Sequence, residues 1–258
     1  MGLILRKGKS IKEVRCKEIF GAAEGKVLFI APHDDDAVLG AGLMMRHVVS
    51  EGYEALLCVV TDGSLGYCSE KDRENISATR KKETLSSSEI MGLKEENIIF
   101  LGYPDCGLSR FTGRLPEEDK LQGLQSGFTR LLRKTRPAAC FLPTGEDYHP
   151  DHKTTYSEFL ISLFHASGEI WPEYGPPFEV PPVFETAVYC DFPEPPELML
   201  DSSQEDFEPK IRAVEKFSSQ KQIGKLVEKV RMSGPVEFFR KVPFSLYDPL
   251  KYKESFKV

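Results

Sequence analysis

Two short segments, over a hundred residues apart, hold the side chains most able to do chemistry: Ala31-Pro32-His33-Asp34-Asp35-Asp36 and Tyr148-His149-Pro150-Asp151-His152. Three of the chain's five histidines lie in them. Imidazole and carboxylate together are the ligand set of a borderline divalent ion such as Zn²⁺. His33 and Asp36, three apart where a strand turns into a helix, can chelate one ion, and His152 can supply a third ligand. A His₂Asp set leaves the fourth tetrahedral position to water, as catalytic zinc sites do. Zinc lowers the pKa of that water toward about 7. Asp35 adjoins a ligand but must point elsewhere, which makes it the natural general base. His149 can stabilise an oxyanion or protonate a leaving amine, and Asp151 can hold it as imidazolium. A base, an electrophile and an acid are what hydrolysis of an amide requires. Tyr148 can reach a substrate carbonyl or simply pack.

A lone His-x-x-Asp is more often a helix cap or a surface feature. The metal reading rests on both clusters following strand-like apolar runs. His47 and His165 lie inside helical segments and read as satisfied helix histidines.

The clusters need a scaffold that brings them together. Apolar runs predict strands at Val27–Ala31, Ala55–Thr61, Asn97–Leu101, Ala138–Leu142 and Thr186–Asp191, with helices over 38–51, 74–91, 117–135, 152–166 and a long one near 205–231. Runs of this kind, without strict alternation, suit strands buried on both faces. The β-α alternation predicts an α/β Rossmann-like three-layer sandwich with a mostly parallel central sheet, wound right-handed. Active sites of such sheets lie outside the carboxyl ends of the strands, so both clusters fall on one rim. Gly168, Trp171, Pro172, Gly175, Pro176, Pro177, Pro181 and Pro182 preclude regular structure over 167–183. Trp171 and Tyr174 in that loop either stack on a ligand or pin the loop to the core. With no clean linker, the chain reads as a single domain over 1–258, its core about 26–222 and its C-terminal extension about 223–258.

With 258 residues, 40% of them hydrophobic, the chain can bury one substantial core. A net charge of −6 with no basic stripe excludes a nucleic-acid partner. Six cysteines without a CxxC pair fit a reducing cytoplasm. The N-terminus shows no signal peptide and no lipidation motif, and no apolar stretch is long enough for membrane insertion. Gly40-Ala41-Gly42 mimics a dinucleotide fingerprint, but Met45 replaces the third glycine and carboxylates fill the turn where pyrophosphate would sit.

These residues resemble the LmbE-like, or PIG-L, family of zinc-dependent N-acetylglucosamine deacetylases. The family pattern A-P-H-P-D-D-E-x-x-G-x-G is matched by Ala31 to Gly42, and H-P-D-H is intact from His149 to His152. Thr61-Asp62-Gly63, Arg80-Lys81-Lys82-Glu83, Leu101-Gly102-Tyr103-Pro104-Asp105 and Lys210 with Ser219-Gln220 are similar to further family motifs in the same order. The resemblance covers roughly residues 26–222. It implies His33, Asp36 and His152 as zinc ligands, Asp35 as general base, and His149 with Asp151 as acid or electrostatic partner. It also implies Arg80 and Asp105 as contacts to sugar hydroxyls or to a neighbouring group. The implied activity is release of acetyl from an N-acetylated amino sugar or its conjugate by attack of zinc-bound water, with a small-molecule or glycoconjugate as substrate; a homo-oligomer is compatible. Fe²⁺ suits the same donors. Two departures stand out. Asp34 replaces the usual Pro and adds a carboxylate that can compensate for the usual Glu, here Ala37. The alternatives are metal-dependent hydrolysis of another amide or a phosphoester, and a catalytically altered binding module that retains its metal.

Overall fold

The computed structural model describes residues 1–114, 122–244 and 247–256. In chain order the elements are β1 (Gly2–Lys7), β2 (Ser10–Val14), α1 (Cys16–Phe20), β3 (Lys26–Ala31), α2 (Asp36–Ser50), β4 (Glu54–Thr61), α3 (Ile76–Ile90), β5 (Ile98–Tyr103), α4 (Leu124–Thr135) and β6 (Ala139–Pro143). They continue with α5 (Pro150–Ser167), β7 (Val183–Thr186), β8 (Leu198–Asp201), α6 (Gln204–Val214), α7 (Ile223–Ser233), β9 (Val236–Lys241) and α8 (Pro249–Phe256). The strands form one sheet in the order β2-β1-β8-β9-β7-β6-β3-β4-β5.

Strands β7, β6, β3, β4 and β5 pair parallel, as the β-α alternation requires. Their residues alternate between two cores. Val27, Phe29, Ala31, Leu57, Val59, Phe141 and Phe184 face a core shared with α2 and α6. Leu28, Ile30, Leu56, Cys58, Val60, Cys140 and Leu142 face one shared with α4 and α5. Phe29, Phe141 and Phe184 stack across three neighbouring strands, with ring centroids 5.1 Å apart at each step. The result is an α/β sandwich with helices on both faces of its sheet.

The sheet also has an antiparallel half, β7-β9-β8-β1-β2, that the apolar runs do not announce. The run expected as a strand over Thr186–Asp191 leaves the sheet at Thr186, so that Tyr189 and Cys190 lie in a rim loop instead. The long helix expected near 205–231 is two helices, α6 and α7, because the buried Phe217 and the following Ser218-Ser219-Gln220 turn interrupt it. Part of the helix expected over 117–135 lies outside the described residues. Of segment 167–183, Ser167 ends α5 and Val183 begins β7, and between them lies only one turn of 3₁₀ helix, Pro172–Tyr174.

Helix α2 breaks at Ala41, whose φ of −146° and ψ of 23° are not helical. The break leaves backbone groups without helical partners. The Glu237 carboxylate accepts from the Leu43 N–H (2.8 Å) and the Met44 N–H (2.9 Å), and Lys210 Nζ donates to Leu39 O (2.9 Å) and Glu237 Oε1 (2.6 Å). Gly40 and Gly42 allow the approach: a Cβ on Gly40 would lie 3.0 Å from the Thr186 side chain, and one on Gly42 3.1 Å from Lys210 Cγ. Close packing therefore accounts for Gly40-Ala41-Gly42.

Among the described residues, no helix is long and apolar enough to cross a membrane. All six cysteines are free thiols.

Candidate metal centre

Strand β3 ends at Ala31, and its neighbour β6 delivers the second cluster to the same rim. Thr61 at the end of β4 ties the turn down, both its N–H (3.0 Å) and its hydroxyl (2.8 Å) donating to Pro32 O. The His33 N–H donates to Asp36 Oδ2 at 2.7 Å, so the turn folds its two candidate ligands toward each other. On the other side, Asp147 Oδ1 accepts from the His149 N–H (2.9 Å) in a side-chain turn, and His149 caps α5 with Pro150 at its first position.

Together the two turns place His33 Nδ1, Asp36 Oδ2 and His152 Nε2 in a triangle with sides of 3.2, 3.1 and 3.3 Å. A tetrahedral ion with bonds of about 2.0–2.1 Å sets its ligand atoms about 3.3–3.4 Å apart. The triangle therefore matches a shared metal edge almost without movement. Asp36 Oδ1 is buried and has no hydrogen-bond partner, a lone pair with nothing in the protein to satisfy it. The donor set and this orphaned oxygen both fit a divalent ion. One ring nitrogen each of His33, His149 and His152 also lies within 4.8 Å of the others. His149 is the weaker candidate as ligand, because its Nδ1 already accepts from the Asp151 N–H at 3.3 Å.

Behind the triangle stand carboxylates. Asp105 Oδ1 and Asp151 Oδ2 face His33 Nε2 at 3.3 and 3.4 Å, and Asp147 Oδ2 faces His152 Nδ1 at 3.1 Å. Carboxylates on the far nitrogen of a ligating imidazole orient the ring and raise its basicity. Electrostatics agree. Burial opposes a charge on His33, yet Asp105, Asp151 and Asp36 outweigh it and hold its pKa well above the ordinary value. Burial would also raise Asp36, but His152 and His33 hold it far below the usual carboxylate range. His149 is lowered, by burial and then by the neighbouring His33 and His152.

Several candidates named from the sequence take different places. Asp151 meets His149 through its backbone N–H, while its carboxylate accepts from Cys106 N (2.7 Å) and Leu108 N (3.4 Å) and faces His33. It supports His33 rather than holding His149 as an imidazolium. Arg80 and Asp105, expected to meet sugar hydroxyls or a neighbouring group, take the second course and are turned inward. Arg80 is buried and donates from Nε to Asp34 Oδ2 (2.9 Å) and from Nη2 to Asp35 Oδ1 (3.2 Å). The loop after β4 closes over it, since a Cβ on Gly66 would lie 2.3 Å from Arg80 Nη1. The second oxygen of Asp105 accepts from the Leu65 N–H at 3.1 Å. The Asp34 carboxylate, expected beside the metal, instead accepts from Arg80 and, at 3.1 Å, from the Thr84 hydroxyl. Tyr148 is exposed, with the Lys153 ammonium 5.8 Å over its ring.

Trp171 packs edge-on to His165, ring centroids 4.4 Å apart, and Arg133 binds the carbonyls of Trp171, Gly175, His165 and Gly168. His165 stands thirteen residues beyond His152 on α5, or about 20 Å along the helix. Trp171 and Tyr174 therefore pin their loop and do not lid the site.

The sequence reading missed Asp147, Tyr189 and Cys106. The Tyr189 ring lies 5.4 Å from that of His152, and Cys106 Sγ lies 3.9 Å from His149 Nε2. Only Asp147 left a usable signal. A ligating histidine needs a carboxylate on its far nitrogen, and Asp147 opens the turn that leads to His152.

A family model described as PIG-L, GlcNAc-PI de-N-acetylase, matches residues 28–162, just over half of the chain. The chain is 26% identical over 132 residues to a diacetylchitobiose deacetylase of Thermococcus kodakarensis, covering 50% of this chain and 45% of that protein. It is 29% identical over 171 residues to a mycothiol S-conjugate amidase of Streptomyces coelicolor, covering 57% and 55%. The chain thus spans about half the length of these curated relatives. Among solved structures, an N,N'-diacetylchitobiose deacetylase from Pyrococcus horikoshii shares the fold, with a TM-score of 0.69 at 24% identity over 88% of this chain and 86% of that one.

Proposed function

Because the chain belongs to the PIG-L family, we propose that it is a metal-dependent hydrolase that removes the acetyl group from an N-acetylated amino sugar of the N-acetylglucosamine type, or from its conjugate. The observation that carries this reading is the triangle of His33 Nδ1, Asp36 Oδ2 and His152 Nε2 beside an unliganded Asp35. The names of the curated relatives support an amide of an amino sugar as the bond attacked.

We assign His33, Asp36 and His152 to the metal, with Zn²⁺ the expected ion and Fe²⁺ the competitor. Such an ion, when bound, supplies a Lewis acid that acidifies water and polarises a carbonyl. The protein supplies the rest. Asp35 takes a proton from the attacking water as the new C–O bond forms. Burial raises its carboxyl above the ordinary value against the pull of Arg80, which strengthens it as a base. Arg80 holds one Asp35 oxygen in place and acts as a positioning residue.

His149 Nδ1 accepts a hydrogen bond, so the neutral ring carries its proton on Nε2. That N–H can donate to the carbonyl oxygen as negative charge develops there. When the C–N bond breaks, the proton held by Asp35 passes to the leaving amine, and acetate is released. Asp105, Asp147 and Asp151 orient the two ligating imidazoles, and Tyr148 offers an aromatic face to the substrate at the rim. A reducing cytoplasmic location fits the six free thiols.

The test incubates metal-loaded protein with a panel of N-acetylglucosamine conjugates and measures released acetate. Release from at least one member is expected, with Asp35→Asn keeping its metal and losing about 10²–10⁴ in kcat. No acetate from any member at full metal occupancy refutes the deacetylase reading. Undiminished release by Asp35→Asn refutes the assigned base.

A further inference from the structure

The far end of α2 carries a second group of metal-type donors, unrelated to the centre above. Cys16 opens α1, His47 lies in the last turn of α2, and Glu51 follows that helix. The thiol of Cys16, an imidazole nitrogen of His47 and a carboxylate oxygen of Glu51 lie within 4.8 Å of one another. His47 stands eleven residues beyond Asp36, about 16 Å along the helix.

The sequence reading took His47 for a satisfied helix histidine, and the structure corrects it. His47 is 5% exposed, and its Nε2 is buried without a hydrogen-bond partner. Glu51, one helical turn on, holds Oε1 3.9 Å from that nitrogen. Its other oxygen accepts from the Cys16 N–H at 3.0 Å, which fixes the carboxylate between the thiol and the ring. The Cys16 side chain is fully buried. A buried imidazole nitrogen with no hydrogen-bond partner, beside a carboxylate and within reach of a thiol, is an incomplete arrangement for a structural cluster. It is a suitable one for a cation.

We propose that Cys16, His47 and Glu51 form a second divalent-metal site, of the class that takes Zn²⁺, which clips the N-terminal β1-β2-α1 segment to the end of α2. Thiolate, imidazole and carboxylate are the three donor types zinc accepts together, and one thiolate with one carboxylate neutralises its charge. Binding breaks the Cys16 S–H bond and forms an S–metal bond, and the proton is released to solvent. Without metal the thiol is pushed up to about 12 by burial and by Glu51, so the proton leaves only as the ion arrives. Glu51 is half-buried and gives the ion a way in. Arg15 Nε, 3.5 Å from Glu51 Oε1, sits on an exposed side chain that can swing aside. The Met1 amino group and Asp206 also act on His47, with opposite signs. The remaining coordination position goes to water.

Cobalt titration of the full chain tests this, because a thiolate–Co²⁺ pair absorbs in the near ultraviolet and nitrogen–oxygen sites do not. One equivalent of this band per chain is expected. Cys16→Ser and His47→Gln should abolish it, while Cys106→Ser and His152→Ala should leave it intact. Absence of the band, or its loss with Cys106→Ser, overturns the site. X-ray absorption of the zinc-loaded wild type gives a second reading that depends on no variant. A sulfur neighbour at about 2.3 Å is expected, and a shell of nitrogen and oxygen alone overturns the proposal. Both readouts are independent of deacetylase activity, so failure of either reading leaves the other standing.

Discussion

Helix α2 meets two clusters of buried charge, one where it begins and one where it breaks, and they differ in what is left over. At the break, Lys210 and Glu237 satisfy both each other and the backbone groups of Leu39, Leu43 and Met44. Both oxygens of Glu237 are engaged, and Lys210 reaches a carbonyl as well as the carboxylate. At the start of the helix, Asp36 Oδ1 is buried with no partner at all, while His33 Nε2 and His152 Nδ1 face carboxylates at 3.1–3.4 Å without a well-aligned hydrogen bond. Bare polar atoms in a dry interior are unfavourable. A complete cluster holds the fold together; an incomplete one is shaped for something the chain does not contain. Both clusters are buried, so the unfilled valence is what separates scaffold from site.

The largest effect is expected from taking away an atom of the incomplete cluster. Asp36→Ala should lose one equivalent of metal and all activity above background, with the chain still folded by circular dichroism. Retention of that equivalent would break the contrast at its root. The complete cluster should answer on stability instead. Glu237→Gln leaves Lys210 buried without a counter-charge, which should destabilise by about 3–5 kcal/mol and lower the melting midpoint by on the order of 10 °C. Activity per folded molecule should persist at lower temperature. A variant that melts normally but fails to bind metal would show that Lys210 and Glu237 belong to the site after all.

A smaller effect is expected one step out from the metal. Asp147→Asn keeps the shape of the turn that caps α5 but removes the charge facing His152 Nδ1. Metal affinity or activity should fall about 10–100-fold, measured by competition with a chelator and by acetate release. An unchanged affinity would mean that His152 is oriented by its packing alone.

How much of this was legible depends on the distance over which each feature is encoded. The two candidate metal-binding segments were readable because each is local: His33 and Asp36 belong to one turn, and His149 and His152 to another. The parallel strands β3, β4, β5 and β6 were readable because burial leaves continuous apolar runs such as Val27–Ala31. The antiparallel strands were not, since β2 is largely exposed and β8 and β7 are four residues each. Lys210 and Glu237, or Asp151 and His33, meet through tertiary packing that no spacing reveals. Tyr189 misled for a physical reason: its apolar run lines the rim of the site rather than the sheet. Whether Arg80 and Asp105 would meet substrate or a neighbouring group was likewise open, because a buried guanidinium and an exposed one look the same in a sequence.

The smallest effect belongs to Asp34, where two readings give opposite answers. Its position beside His33 suggests a carboxylate that strengthens the metal site in place of the missing acidic group at Ala37, so that Asp34→Asn would weaken binding. The structure turns that carboxylate the other way, onto Arg80 Nε and the Thr84 hydroxyl. Burial raises its pKa against the pull of Arg80, which limits what its charge contributes. An asparagine retains the size and one acceptor, and Arg80 keeps its second partner, Asp35. Asp34→Asn should therefore lower stability by about 1 kcal/mol, the difference between a charged and a neutral acceptor. Its affinity for Zn²⁺, measured by calorimetric titration of the metal-free protein, should stay that of the wild type. A tenfold weaker affinity with an unchanged melting midpoint would move Asp34 into the incomplete cluster, and Arg80 would then be read as shielding the metal rather than steadying the base.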